Sequence, residues 1–176
     1  MKRPDKLLSR GLITGLCGAA AVALWFFFID FSDGHPFRTP AALGSALLFG
    51  MSTPEAMQVT FRVVAAYTVV HVIAFAVAGT IFVAIAEQVE RSSSLVLLTI
   101  PGAIALEVVV VTGLALGGDW VLGAVGVWSV LVANLLAVLS MGWYVWRTHP
   151  TLRHGQTTTA PPAHLQPVSL RRDARG

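Results

Sequence analysis

Residues Gly11 to Ile29 read GLITGLCGAAAVALWFFFI, a run without a single charge. As an α-helix, about 19 residues at 1.5 Å each reach nearly across the ~30 Å hydrocarbon core of a bilayer. Lys2, Arg3, Lys6 and Arg10 precede the run, against Asp5 alone. A basic start before an apolar run also opens a secretory signal. Here the run exceeds the roughly 7–15 residues of a signal's apolar region, and no small-x-small cleavage site follows Ile29. Leu16, ahead of Cys17, is too large for a lipoprotein cleavage position. The stretch is therefore expected to remain in the membrane as a first span.

Composition agrees with this. Of the 176 residues, 55% are hydrophobic and 12% charged, with a mean hydropathy of +0.72. A soluble domain carries about 25% charged residues, so this chain has too few to coat a water-facing surface and needs lipid over its apolar blocks. The net charge of +3 is carried by basic residues clustered at the two ends. That clustering is a topology signal rather than a nucleic-acid footprint. Cys17 is the single cysteine, which excludes an intrachain disulfide and a Cys-based metal site.

Beyond the first span, the polar segment Asp30 to Pro40 contains turn chemistry in Asp33-Gly34 and His35-Pro36. Thr39-Pro40 starts a helix over about 40–51, which is too short to cross and is expected to be re-entrant or interfacial. Ser52-Thr53-Pro54-Glu55 repeats the start signal. From it the pattern predicts one long helix to Ala86, with Glu55, Gln58 and Arg62 on an interfacial stripe and a second span over 63–86. Glu87 to Ser94 reads as a polar turn. A third span is expected over 95–116 and, after Gly117-Gly118-Asp119, a fourth over 120–146, with Trp120, Trp143, Tyr144 and Trp146 at its ends as interface anchors. The fold expected over 11–146 is all-α: four transmembrane helices in an antiparallel bundle plus the short segment. Residues 1–10 form a basic amino end. Residues 147–176, rich in Thr, Pro, Arg and Gln, read as a disordered tail.

Lys and Arg set the orientation. The amino end, the Arg91 turn and the tail (Arg147, Arg153, Arg171, Arg172, Arg175) outweigh the opposite loops, which hold Arg38 and Arg62. Both termini are expected in the cytoplasm.

Intramembrane polar residues are the candidate functional groups. Glu107 lies mid-span, where a charge costs about 2.5–3.5 kcal/mol even on the lenient insertion scale. His71 lies at a similar depth, roughly 12–14 Å from the outer face, and is its natural partner. Asn134 lies deeper. Each serves either as interhelical glue, at about 0.6–2 kcal/mol per bond, or as a proton- or ligand-contacting site. A bis-histidine haem is disfavoured because His35 and His149 fall outside the spans. No cofactor is implied. In the outer loop, Asp30, Asp33, His35 and Arg38 offer either a cation or acid–base site or, more simply, an Arg38 ion pair with Asp30 or Asp33. Gly11, Gly15, Ala19 and Ala23 form a small-residue ridge for close helix packing, within the chain or with a second copy.

The segment Gly34-His-Pro-Phe-Arg-Thr-Pro40, with Ile29-Asp30 and Leu43-Gly44, resembles a family of small uncharacterised bacterial four-helix membrane proteins. Tyr67-Thr-Val-Val-His71, with Phe75 and Gly79, is similar to that family's second span. The resemblance implies a bacterial inner-membrane location and carries no activity and no catalytic residues. It directs attention to Asp30, Pro36, Thr39, Pro40 and His71. The function expected is a non-enzymatic structural or interaction component that contacts lipid and either its own copies or a membrane complex. Proton or small-solute conduction through His71 and Glu107 is the alternative, and an enzyme or metal site in the outer loop is the third.

Overall fold

Helix α1, Pro4–Ser32, is the hub of the chain, with α3 packed along one side of it and α5 along the other. The computed structural model describes residues 4–51, 53–89, 112 and 119–148. The remaining helices are α2 (Arg38–Phe49), α3 (Phe61–Val89), α4 (Asp119–Val125) and α5 (Val127–Thr148), with a 3₁₀ turn at Pro54–Ala56. Lys6–Ser32, Phe61–Gln88 and Val127–Thr148 are long and apolar enough to cross a bilayer. The chain is thus an all-α, multi-pass membrane protein. The expected third span with Glu107, and the tail beyond Thr148, lie outside the described residues.

Contacts along α1 fix the direction of its neighbours. Gly11 meets Thr80, Gly15 meets Phe75 and Ala76, and Ala19 meets His71, so α3 runs opposite to α1. Gly18 meets Met141 and the Trp25 indole reaches Ser129, so α5 also runs opposite to α1. The two seams differ in chemistry. Toward α3 the ridge of small residues brings backbone onto backbone: a Cβ on Gly11 would stand 2.6 Å from Thr80 Cα, and one on Gly79 would collide with Gly15 and the Gly11 carbonyl. Toward α5 the seam is side chain on side chain. Val22 and Phe26 pack with Leu43, Val121, Val125 and the stripe Val130, Ala133, Ala137 and Met141, whose three- and four-residue spacing keeps one helix face turned inward.

Three expectations need correction. Pro54 opens only a single 3₁₀ turn, Met57 is extended, and α3 begins at Phe61. Thr60 caps it: its hydroxyl accepts the Val63 N–H (3.4 Å) and its carbonyl the Val64 N–H (3.1 Å). A capping hydroxyl directly before the apolar run competes with the earlier proline signal and wins. Glu55, Gln58 and Arg62 therefore form no helical stripe, and Arg62 instead lies 5.7 Å from the Phe49 ring centre. At the other end α3 continues through Glu87 to Val89 rather than stopping in a turn. The run 120–146 is not one helix: Gly126, at φ 75°, separates α4 from α5. The α2 helix has 12 residues, about 18 Å at 1.5 Å per residue, and ends at Gly50 in the left-handed conformation.

Candidate functional site

The polar loop after α1 folds tightly onto the helix that it leaves. Asp33 N–H returns to the Ile29 carbonyl (3.0 Å) and His35 N–H to the Asp30 carbonyl (2.9 Å), with Gly34 at φ 74° supplying the left-handed step. Phe37, also left-handed at φ 67°, precedes α2 and has no side-chain group to cap it. The first-turn N–H groups of α2 need acceptors, and Asp30 supplies one from the previous helix. Its Oδ2 accepts the Thr39 N–H and its Oδ1 the Thr39 hydroxyl, both at 2.7 Å. Each residue is only 3% exposed. Thr39 thus engages both carboxyl oxygens, and the N-terminal end of α2 favours negative charge at that place.

This arrangement replaces two expectations. Asp30 bonds Thr39, not Arg38, and Thr39 uses its hydroxyl on Asp30 rather than capping its own helix. The four outer-loop candidates do not converge. Asp30 is buried, whereas Asp33 and His35 are exposed and Arg38 is partly so. The His35 Nδ1–H donates to the Asp33 carbonyl at 2.8 Å. Among the described residues, no three His, Cys, Asp or Glu side chains group as a metal site would require.

His71 faces α1. Its Nε2–H donates to the Ala19 carbonyl at 3.3 Å, which leaves Nδ1 as the acceptor nitrogen. The ring lies 4.7 Å from Phe75 and 5.7 Å from Tyr67, centre to centre. Glu107, its expected partner, is outside the described residues. Asn134 sits half-buried on α5, a helix that packs mainly on α1 and barely touches α3.

Between α1, α2 and α3 lies a cavity of about 150 Å³. Asp30 and Thr39 line it at the loop end, and Tyr67 and His71 line it along α3. Val22, Phe26 and Val64 make its apolar wall, with Phe27 and Phe37 toward the loop. The cavity is thus a largely apolar recess with a carboxylate at its loop end and the His71 ring in its α3 wall. The loop after α1 and the first half of α3 meet around a single space. Sequence reasoning named Asp30 and His71 but missed both the cavity and Thr39 as the carboxylate's partner. The available signal was an acid at the end of one helix, a Gly and a Pro in the turn, and a threonine opening the next helix.

No protein-family model, curated protein or solved structure matches the chain.

Proposed function

We propose that the protein is a four-span component of the bacterial inner membrane that works by contact rather than by catalysis, with both termini in the cytoplasm. The observation that carries this is how polar side chains within the helices are used. Thr14 bonds the Arg10 carbonyl, Thr68 the Val64 carbonyl, Thr80 the Ala76 carbonyl, Ser140 the Ala137 carbonyl, and His71 the Ala19 carbonyl of its neighbour. The four hydroxyls close on their own helix and so are satisfied without water, while His71 ties α3 to α1; none of these groups is paired as a nucleophile with a base. Large apolar side chains cover the outside, among them Phe28, Phe61, Ile73, Val77, Leu139 and Trp128. That surface suits lipid and a second membrane-embedded chain. A fourth crossing is supported by direction: α3 ends beside the amino end of α1 and α4 begins toward its carboxyl end, so the chain between them must return. The resemblance to small bacterial four-helix membrane proteins fits the same architecture.

Conduction is the second reading, favoured by His71 standing in the wall of a cavity. The two separate in liposomes loaded with a pH-sensitive dye. The expected result is proton leakage equal to that of empty liposomes, for the wild type and for Glu107→Gln alike. A flux that the wild type supports and Glu107→Gln abolishes would overturn the contact reading.

A further inference from the structure

We propose that the recess between α1, α2 and α3 binds an organic ammonium, with its cation at Asp30 and its apolar part along Val22, Phe26 and Val64. The proposal deepens the contact reading by naming what the recess takes. Asp30 is 3% exposed and both its oxygens accept hydrogen bonds, yet the donors are the neutral groups of Thr39. No lysine or arginine lines the cavity. Beyond the α2 N-terminus no positive group faces this carboxylate within the recess lining, and a buried carboxylate is disfavoured without a counter-charge, so the recess favours a cation. Of about four lone-pair positions on a carboxylate, Thr39 takes two, which leaves acceptor capacity for an N⁺–H donor.

The remaining walls narrow the class of cation. Phe26, Phe27, Phe37 and Tyr67 all border the recess, and aromatic rings attract alkylammonium groups. A hydrated divalent cation wants six or more oxygen ligands, whereas this lining is mostly apolar around one carboxylate. An anion is repelled by Asp30. The volume of about 150 Å³ holds roughly one aromatic ring, so an arylalkyl or short alkyl ammonium fits. The ammonium has two sources, a free lipophilic amine or the headgroup of an aminophospholipid.

The test titrates full-length protein in phosphatidylcholine nanodiscs with 2-phenylethylammonium by calorimetry, with empty nanodiscs as the blank. Saturable one-site binding is expected. The neutral analogue 2-phenylethanol should bind at least about tenfold more weakly, and Asp30→Asn should weaken amine binding by a similar factor. Ala23→Phe, which adds a ring at the exposed rim of the recess and leaves the Asp30–Thr39 bond in place, should weaken binding at least about tenfold without lowering the melting temperature, and it decides the matter where Asp30→Asn does not fold. Repeating the titration in phosphatidylethanolamine nanodiscs identifies the source. A weaker apparent affinity there assigns the site to the lipid headgroup, and an unchanged one assigns it to a free amine. No binding by the wild type, equal binding of the alcohol, or wild-type binding by Ala23→Phe would overturn the proposal. None of these results touches the proton-flux comparison, so failure of the ammonium site and failure of the contact reading are told apart.

Discussion

Thr39 gives both of its hydrogen-bonding groups to one carboxylate, and the consequence is measurable. Thr39→Val keeps the backbone N–H bond and the side-chain shape but removes the hydroxyl from Asp30 Oδ1. A hydrogen bond to a charged group contributes about 1.5–3 kcal/mol, and here its loss leaves a buried charge less satisfied. Thr39→Val is expected to destabilise the protein by about 2 kcal/mol, and Thr39→Ser, which keeps the hydroxyl, by less than about 1 kcal/mol. Reversible unfolding in bicelles measures both, and equal losses would mean that the methyl group rather than the bond matters. Asp30 and His71 stand out in the sequence because a polar group in an apolar run is conspicuous by its cost. Their partners do not stand out, since one is a backbone carbonyl (Ala19) and the other a threonine beyond a turn. The Arg38 expectation rested on charge alone, and burial of Asp30 beside a helix N-terminus decided for Thr39.

Among the elements, the seam between α1 and α3 has no room for added atoms. A Cβ on Gly15 would collide with the Phe75 carbonyl and stand 2.9 Å from Ala76 Cα. Both obstacles are backbone and cannot rotate away. Gly15→Ala is thus expected to destabilise by at least about 2 kcal/mol through overpacking. Gly142, on α5, has nothing within 4 Å of an added Cβ, so Gly142→Ala should be neutral or stabilising by up to about 1 kcal/mol. Equal effects in the same unfolding assay would show that helix propensity, not the crossing, sets the glycine requirement. The ridge itself could be read from spacing, because small residues four apart share a helix face. Which helix it meets could not, since spacing says nothing about partner. Helix limits failed where two local signals competed: Thr60 against Pro54 at the start of α3, and the left-handed Gly126 inside an apolar run that otherwise reads as one span.

At the scale of the molecule, the arrangement of α1, α3 and α5 constrains topology more strongly than the count of basic residues. Both α3 and α5 run opposite to α1, so they run in the same direction as each other. The proposed four-span reading supplies the return that two parallel spans call for, and the apolar stretch 95–116 is the segment that the sequence offers for it. Basic residues then choose the side. In sequence, Arg91 comes two residues after α3, which ends on the side of Lys6 and Arg10, and Arg147 closes α5 on that same side. The prediction is a four-crossing pattern of labelling by a membrane-impermeant maleimide in intact cells, in a Cys17→Ser background. His35→Cys and Glu55→Cys should label from outside, because α2 between them is too short to cross. Arg91→Cys and Ser169→Cys should label only after the membrane is opened. Gly118→Cys is the decisive position: external labelling there, with Arg91→Cys protected, requires the chain to cross between them. Labelling of Arg91→Cys and Gly118→Cys from the same side would leave α3 and α5 without a return and break the four-span architecture. Labelling of His35→Cys and Glu55→Cys from opposite sides would make α2 a crossing helix, which its 12 residues could achieve only across a bilayer far thinner than ~30 Å.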